Sequence, residues 1–227
     1  MPIPDDWKPL ASFGPGAYLA DREAGNRLEG AQSLNLHTGG GSADQLVALV
    51  RRSRGFATPA RASLHAWWVK PSTTNVHYQG VMLRNQSAAT SAEGVVMSDV
   101  TGLPSYFVRV DRFANLEILR GGVSLSQTKV YPAGAAVVAP ALGTVSGGLY
   151  FRARMEEEGG APKITLSQSD LAAPSLNNEA HWTELAVYVD EDAEAITAPG
   201  YAGLVLLNGG VNAHAWYIDR YLDRRVA

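Results

Sequence analysis

Short tracts of alternating side chains, cut apart by glycine turns, restrict the fold of this chain more than any other feature. In residues 62–70 one set is Ala62, Leu64, Ala66 and Trp68, and the other is Ser63, His65, Trp67 and Val69. A period of two sends such sets to opposite sides of a sheet. Residues 150–155 repeat the pattern, with Phe151, Ala153 and Met155 alternating with Tyr150, Arg152 and Arg154. Residues 183–189 do so again, with Leu185, Val187 and Val189 set against Glu184, Ala186 and Tyr188. One apolar and one mixed face is what antiparallel sheets need when they pack as a sandwich.

Further strands are expected over 33–37, 76–84, 94–98, 106–111, 116–119, 163–167, 204–207 and 215–219. Turn signals separate them at Gly39-Gly40-Gly41, Thr101-Gly102-Leu103-Pro104, Gly121-Gly122, Glu158-Gly159-Gly160 and Asn208-Gly209-Gly210. Residues 43–50 have Ser42 as an available N-cap and admit a helix, but the valine-rich end and the neighbouring strands favour a strand. About a dozen strands at this spacing make the fold all-β, an antiparallel two-sheet jelly-roll sandwich. Residues 1–27 read as an N-terminal extension packed on or preceding the sandwich, and 28–227 as one jelly-roll domain. The stretch 121–148, rich in Ala, Gly, Val and Ser, reads as a long connection.

Composition removes several function classes. The 227 residues carry 46% hydrophobic side chains, enough for a real core, and a net charge of only −3. Lys and Arg are scattered through the sequence, without the linear basic stripe of a nucleic-acid binder, so no nucleic-acid partner is expected. Cysteine is absent, which excludes a disulfide scaffold and a thiolate zinc site. No apolar run approaches the roughly 20 residues that span a bilayer, so membrane insertion is not expected. The start, Met1-Pro2-Ile3-Pro4-Asp5-Asp6, has no signal-peptide pattern, and the chain is expected to begin in the cytosol or to enter a particle assembled there. Arginine outnumbers lysine by 15 to 4, a bias of GC-rich genomes.

Three pieces of the second half resemble the concanavalin A-like (laminin-G-like) jelly rolls. They are Tyr78-Gln79-Gly80-Val81-Met82-Leu83-Arg84; Leu149-Tyr150-Phe151-Arg152-Ala153-Arg154 leading to His181-Trp182-Thr183-Glu184; and the closing Pro199-Gly200-Tyr201-Ala202-Gly203-Leu204 with Trp216-Tyr217-Ile218-Asp219. The first half is similar to galactose-binding-like carbohydrate-binding modules, through Leu28-Glu29-Gly30-Ala31-Gln32-Ser33-Leu34 and Ala62-Ser63-Leu64-His65-Ala66-Trp67-Trp68-Val69-Lys70. Together the resemblances cover roughly residues 28–222. They imply a binding or structural sandwich of the kind frequent in tailed-phage virion proteins. Such a protein is expected to be tail-associated, to self-associate or join other virion proteins, and to meet a host surface glycan. A bacterial carbohydrate-binding module is the alternative, and a glycan-degrading enzyme a more distant one.

The sugar-facing candidates are Trp67 and His65. Adjacent tryptophans in a regular strand face opposite sides; Trp68 shares its set with Leu64 and Ala66, which leaves Trp67 beside His65 as a stacking platform. The competing reading packs Trp67 under a loop or against the second sheet. The run Asp190-Glu191-Asp192-Ala193-Glu194 offers oxygen ligands to a hard cation but lacks the spacing of an EF-hand loop, and reads more simply as a solvated turn. The galactose-binding-like resemblance implies a structural calcium at Asp219, paired with Glu29; a hydrogen bond from Asp219 to a neighbouring loop is the competing reading. Catalysis has little support. Glycosidases of the concanavalin-like clan alternate two carboxylates on one strand to hold a nucleophile and an acid about 5–5.5 Å apart. The pattern they use, Glu-x-Asp-x-x-Glu or Glu-x-Asp-x-Glu, does not occur, and Glu156-Glu157-Glu158 reads as a hairpin tip. The five histidines lack zinc spacing.

Overall fold

The computed structural model describes residues 7–13, 18–23, 33–38, 45–51, 60–67, 77–86, 104–111, 116–122, 125–131, 149–169, 171, 174–175, 177–208 and 214–225, with side chains at 80–86, 104–109, 116–121, 151–169, 171, 174–175, 177–200 and 202–204. Fourteen strands are described: β1 Trp7–Phe13, β2 Tyr18–Glu23, β3 Ser33–Thr38, β4 Gln45–Arg51, β5 Ala60–Trp67, β6 His77–Asn85, β7 Ser105–Asp111, β8 Leu116–Gly122, β9 Leu125–Tyr131, β10 Leu149–Glu158, β11 Ala161–Ser169, β12 Thr183–Val189, β13 Tyr201–Asn208 and β14 His214–Arg225. They form two seven-stranded sheets, β1-β4-β13-β6-β7-β8-β9 and β12-β11-β10-β5-β14-β3-β2, and every pairing is antiparallel. This is the jelly-roll sandwich that the alternation predicts. Residues 45–51 are a strand, paired on both sides.

Three boundaries differ from the sequence reading. Within residues 1–27, β1 and β2 each supply an outer strand, one to each sheet. The stretch taken as a long connection contains β9, whose partner is β8. The strand expected over 62–70 begins at Ala60, and its described part ends at Trp67. The strand expected at 94–98 lies outside the described residues.

The β10–β11 hairpin explains itself locally. Glu158 pairs with Ala161 across a two-residue turn, and both turn residues, Gly159 and Gly160, have positive φ (62° and 90°). That conformation matches strand twist and is cheap only for glycine. The acidic triplet before it is a hairpin tip, as expected: Glu157 and Glu158 are exposed. Along β10, Phe151, Ala153 and Met155 are buried; they pair with Gln168, Leu166 and Ile164 of β11. Burying one such large apolar side chain stabilises by about 1.5–3 kcal/mol before entropy is counted. Strands β6, β7 and β8 bury both faces. Met82, Phe107 and Leu119 are as buried as Val81, Val108 and Ile118, so the sequence there is nearly continuous in apolar residues.

Candidate functional site

The second sheet carries a polar row beside its apolar one. Arg152 pairs with Ser167 of β11 and Ser63 of β5; Arg154 pairs with Thr165 and Arg61. Arg152 is 2% exposed, so its charge has to be matched locally. Its Nη2 and Nη1 donate to the Glu179 carboxylate at 2.6 and 3.1 Å, and Nη2 lies 3.5 Å from Ser167 Oγ. The guanidinium carbon sits 4.8 Å from the centre of the Trp182 ring, in cation–π range. Arg154 reaches the same Glu179 carboxylate at 3.4 Å and pairs with Glu156.

A short segment positions these partners. Glu179 opens a one-turn 3-10 helix, Glu179–His181, capped by Asn178, whose side chain accepts from the Ala180 N–H. Trp182 Nε1 donates to the Ser175 carbonyl at 2.8 Å, and the Ser175 N–H donates to His181 Nδ1 at 3.0 Å. Trp182 is 9% exposed, while the Glu179 side chain is 54% exposed. Two arginines from one strand therefore converge on a carboxylate that still faces solvent.

A second charged cluster joins the two sheets. Asp190, directly after β12, is wholly buried. It accepts from Arg120 Nη1 at 2.6 and 2.7 Å and from the Tyr106 hydroxyl at 2.5 Å. Arg120 and Tyr106 are cross-strand partners on β8 and β7. Arg120 Nη2 also holds Asp192 at 3.0 Å, with Glu194 at 3.9 Å. Burial, followed by the hydrogen bond to Asp190, pushes the Tyr106 hydroxyl above its ordinary range. Burial by itself would lower Arg120, but the hydrogen bonds to Asp190 and Asp192 outweigh it and hold the guanidinium's pKa up.

The loop that follows is fastened at several points. Ile196 donates its N–H to the Tyr106 oxygen, Arg84 Nη1 donates to the Ile196 carbonyl, and Gln86 Nε2 donates to the Ala198 and Pro199 carbonyls. A Cβ at Gly200 would overlap the Arg84 backbone, so only glycine fits that approach.

The solvated-turn reading of 190–194 is thus corrected at Asp190. A carboxylate at the end of an edge strand is drawn inward because a guanidinium on the facing sheet compensates it. The cluster does not fit a cation either, because Arg120 already fills the space among its carboxylates. Among the described residues no group of three or more His, Asp or Glu side chains forms a metal position.

The sugar-facing candidates lie on β5, fourth of the seven strands in the second sheet. His65 is in register with Tyr150 on one side and Arg220 on the other; Trp67 is in register with Tyr217. Their side chains, Trp68 and Glu29 lie outside the described residues. Asp219 falls where the β14–β5 register shifts, between Ile218 and Arg220, and its side chain is likewise outside them. Trp182, Arg152 and Arg154 come together, an arrangement that the sequence cannot align by itself. Tyr188 does not join them: it pairs with Ile164, in the row of buried Met155. Sequence reasoning missed Glu179, whose only signal is the Asn-Asn-Glu run before an aromatic strand.

No family model and no curated protein matches the chain. Solved structures do. The Emp47p carbohydrate recognition domain superposes with a TM-score of 0.58 at 11% identity, covering 99% of this chain and 90% of that one. The exoplasmic/lumenal domain of VIP36, bound to Ca2+ and Man3GlcNAc, gives 0.56 at 11%, covering 92% and 84%. The fold is a lectin-type jelly roll. A glycoside hydrolase family 16 endo-glucanase from Bacteroides ovatus shares it, at 0.56 and 10% identity over 97% of this chain and 96% of that one. These neighbours are concanavalin A-like sandwiches, and the chain is similar to them in fold.

Proposed function

We propose that this chain is a non-enzymatic carbohydrate-binding sandwich that meets its glycan on the polar face of the second sheet. The observation that carries this reading is the register of β5. His65 and Trp67 lie on a central strand of that sheet, and His65 is two positions from Ser63, the cross-strand partner of Arg152. Lectin-type neighbours, among them a domain solved with Man3GlcNAc, support it. A glycan array comparing the wild type with Trp67→Ala tests it. Signal lost in the variant supports Trp67 as the stacking platform, and equal signal from both removes it.

The absence of hydrolysis in this proposal rests on ion pairing. The alternating carboxylates Glu156 and Glu158 are each matched, by Arg154 and Lys163. Release of reducing sugar from the best array ligand would restore the hydrolase reading. A structural calcium at Asp219 with Glu29 stands in this proposal on the sequence resemblance, and a Ca2+-bound neighbour supports metal binding in general; array signal unchanged by EDTA removes the ion from the binding step. The finer setting is a tail-associated virion component, self-assembled or joined to other virion proteins, and its support is the sequence resemblance. Antibody labelling of purified particles tests it, and unlabelled particles would leave the bacterial carbohydrate-binding module as the setting.

A further inference from the structure

The polar face of the second sheet gathers positive charge well beyond what the composition supplies. Three register rows cross its centre. One runs Arg154–Arg61–Arg224 over β10, β5 and β14; the next holds Arg152; the third runs Tyr150–His65–Arg220. Five of the chain's fifteen arginines occupy these rows. Extended through β11 to β12, the rows meet a single carboxylate position, Glu184, opposite Ser167 on the outer strand. The chain as a whole is net negative at −3, so this concentration belongs to the face and not to the composition.

Like charges directly opposite one another in a sheet are destabilising, and neighbouring strands lie only about 4.8 Å apart. Anionic charge laid against the rows relieves that cost. The described part of the face displays the relief: Arg152 closes on the carboxylate of Glu179, which comes from outside the sheet and is 54% exposed, and Arg154 is shared between Glu179 and Glu156 of the adjacent row. A planar guanidinium recognises a carboxylate through two parallel donors, and Trp182 backs the Arg152 plane. An incoming carboxylate can therefore take the place of Glu179 without new charge being buried.

We infer that this face binds an acidic polysaccharide whose charge is carried by uronate carboxylates. The inference rests on the carbohydrate-binding reading above and names the ligand class for the same face. His65, in the row between Tyr150 and Arg220, lies within the footprint.

Affinity electrophoresis of the full chain through gels holding polygalacturonate, heparin or mannan tests this, with duplex DNA as competitor. The expected result is retardation by polygalacturonate that weakens as salt rises and falls at least tenfold in Arg154→Gln. Glu179→Gln, which removes the internal competitor, is expected to bind severalfold more tightly, and a gain of that kind cannot come from misfolding. Retardation by mannan and not by polygalacturonate overturns the inference and leaves carbohydrate binding standing. Duplex DNA that competes as well as polygalacturonate overturns it in favour of a general polyanion surface, whereas retardation by heparin, whose uronates also carry carboxylates, supports it when DNA does not compete. No retardation in any gel, with no array signal, overturns both readings.

Discussion

Arg120 and Arg152 are both nearly buried arginines held by carboxylates, yet their surroundings differ. At Arg120 the main partner, Asp190, is fully buried and is shared with Tyr106, so the charges are enclosed between the sheets. At Arg152 the partner, Glu179, is more than half exposed and is shared with Arg154 on an outer face. The difference is in what replaces the partner when it leaves. Water and ions reach the carboxylate of the second site, whereas the carboxylate of the first is enclosed; the two arginines themselves are both buried. The first is a structural clamp; the second is suited to exchange.

Removing one member of a buried pair tests this contrast hardest. Asp190→Asn leaves Arg120 with only its exposed partners and is expected to cost about 3–5 kcal/mol, a melting temperature lower by roughly 6–20 °C in a domain of this size. Chemical denaturation with a coincident thermal melt measures it. A loss under about 1 kcal/mol would mean that water already reaches the clamp, and the contrast would fail.

Gly200→Ala comes next. Its Cβ meets the Arg84 backbone, not the end of a flexible side chain, so relief requires the strand to shift. Overpacking of this kind costs about 1–3 kcal/mol. Because Arg84 also holds Ile196, a crystal structure of the variant should find the 190–200 loop displaced while the Arg152–Glu179 site is unchanged.

Tyr106→Phe removes the hydroxyl that bonds Asp190 and accepts from Ile196, at a cost of about 1–3 kcal/mol. It also predicts a pH effect. The folded state holds the Tyr106 proton more tightly than the unfolded chain, whose tyrosine titrates near 10.0. The contribution is complete below that pH and is lost as pH rises toward the higher folded value. Melting temperature against pH from 8 to 11 should fall less steeply in the variant; identical slopes would assign the alkaline loss to other groups.

The same contrast explains what the sequence discloses. Strands β10 and β11 are legible because alternation encodes which side is buried, and Gly159-Gly160 encodes the turn; in β12 the alternation misleads, because Ala186 of the mixed set is buried in the row of Leu166 while Val187 of the apolar set is exposed on the outer strand. β1 is not, because Pro9 and Lys8 interrupt its apolar pattern. β9 is hidden because Leu125-Ser126-Gln127-Thr128-Lys129 is a mostly polar outer strand beside an Ala- and Gly-rich stretch. The inward turn of Asp190 has no local signal at all. Its environment is set by Arg120, seventy residues earlier and on the other sheet. Trp182 and the arginines of β10 are visible as residue types, but the carboxylate that unites them comes from a turn, where no periodicity operates.

Glu179→Gln is expected to have the smallest effect on stability. Its carboxylate is exposed and the substitution is isosteric, so the loss should stay below that of Asp190→Asn even though Arg152 is buried. The amide oxygen can still accept from Arg152, and Trp182 continues to back the guanidinium. A tryptophan emission spectrum close to the wild type would confirm that the stack survives. A cost equal to that of Asp190→Asn would show that Glu179 is as enclosed as Asp190, and the outer face would then be a second clamp with nothing to exchange.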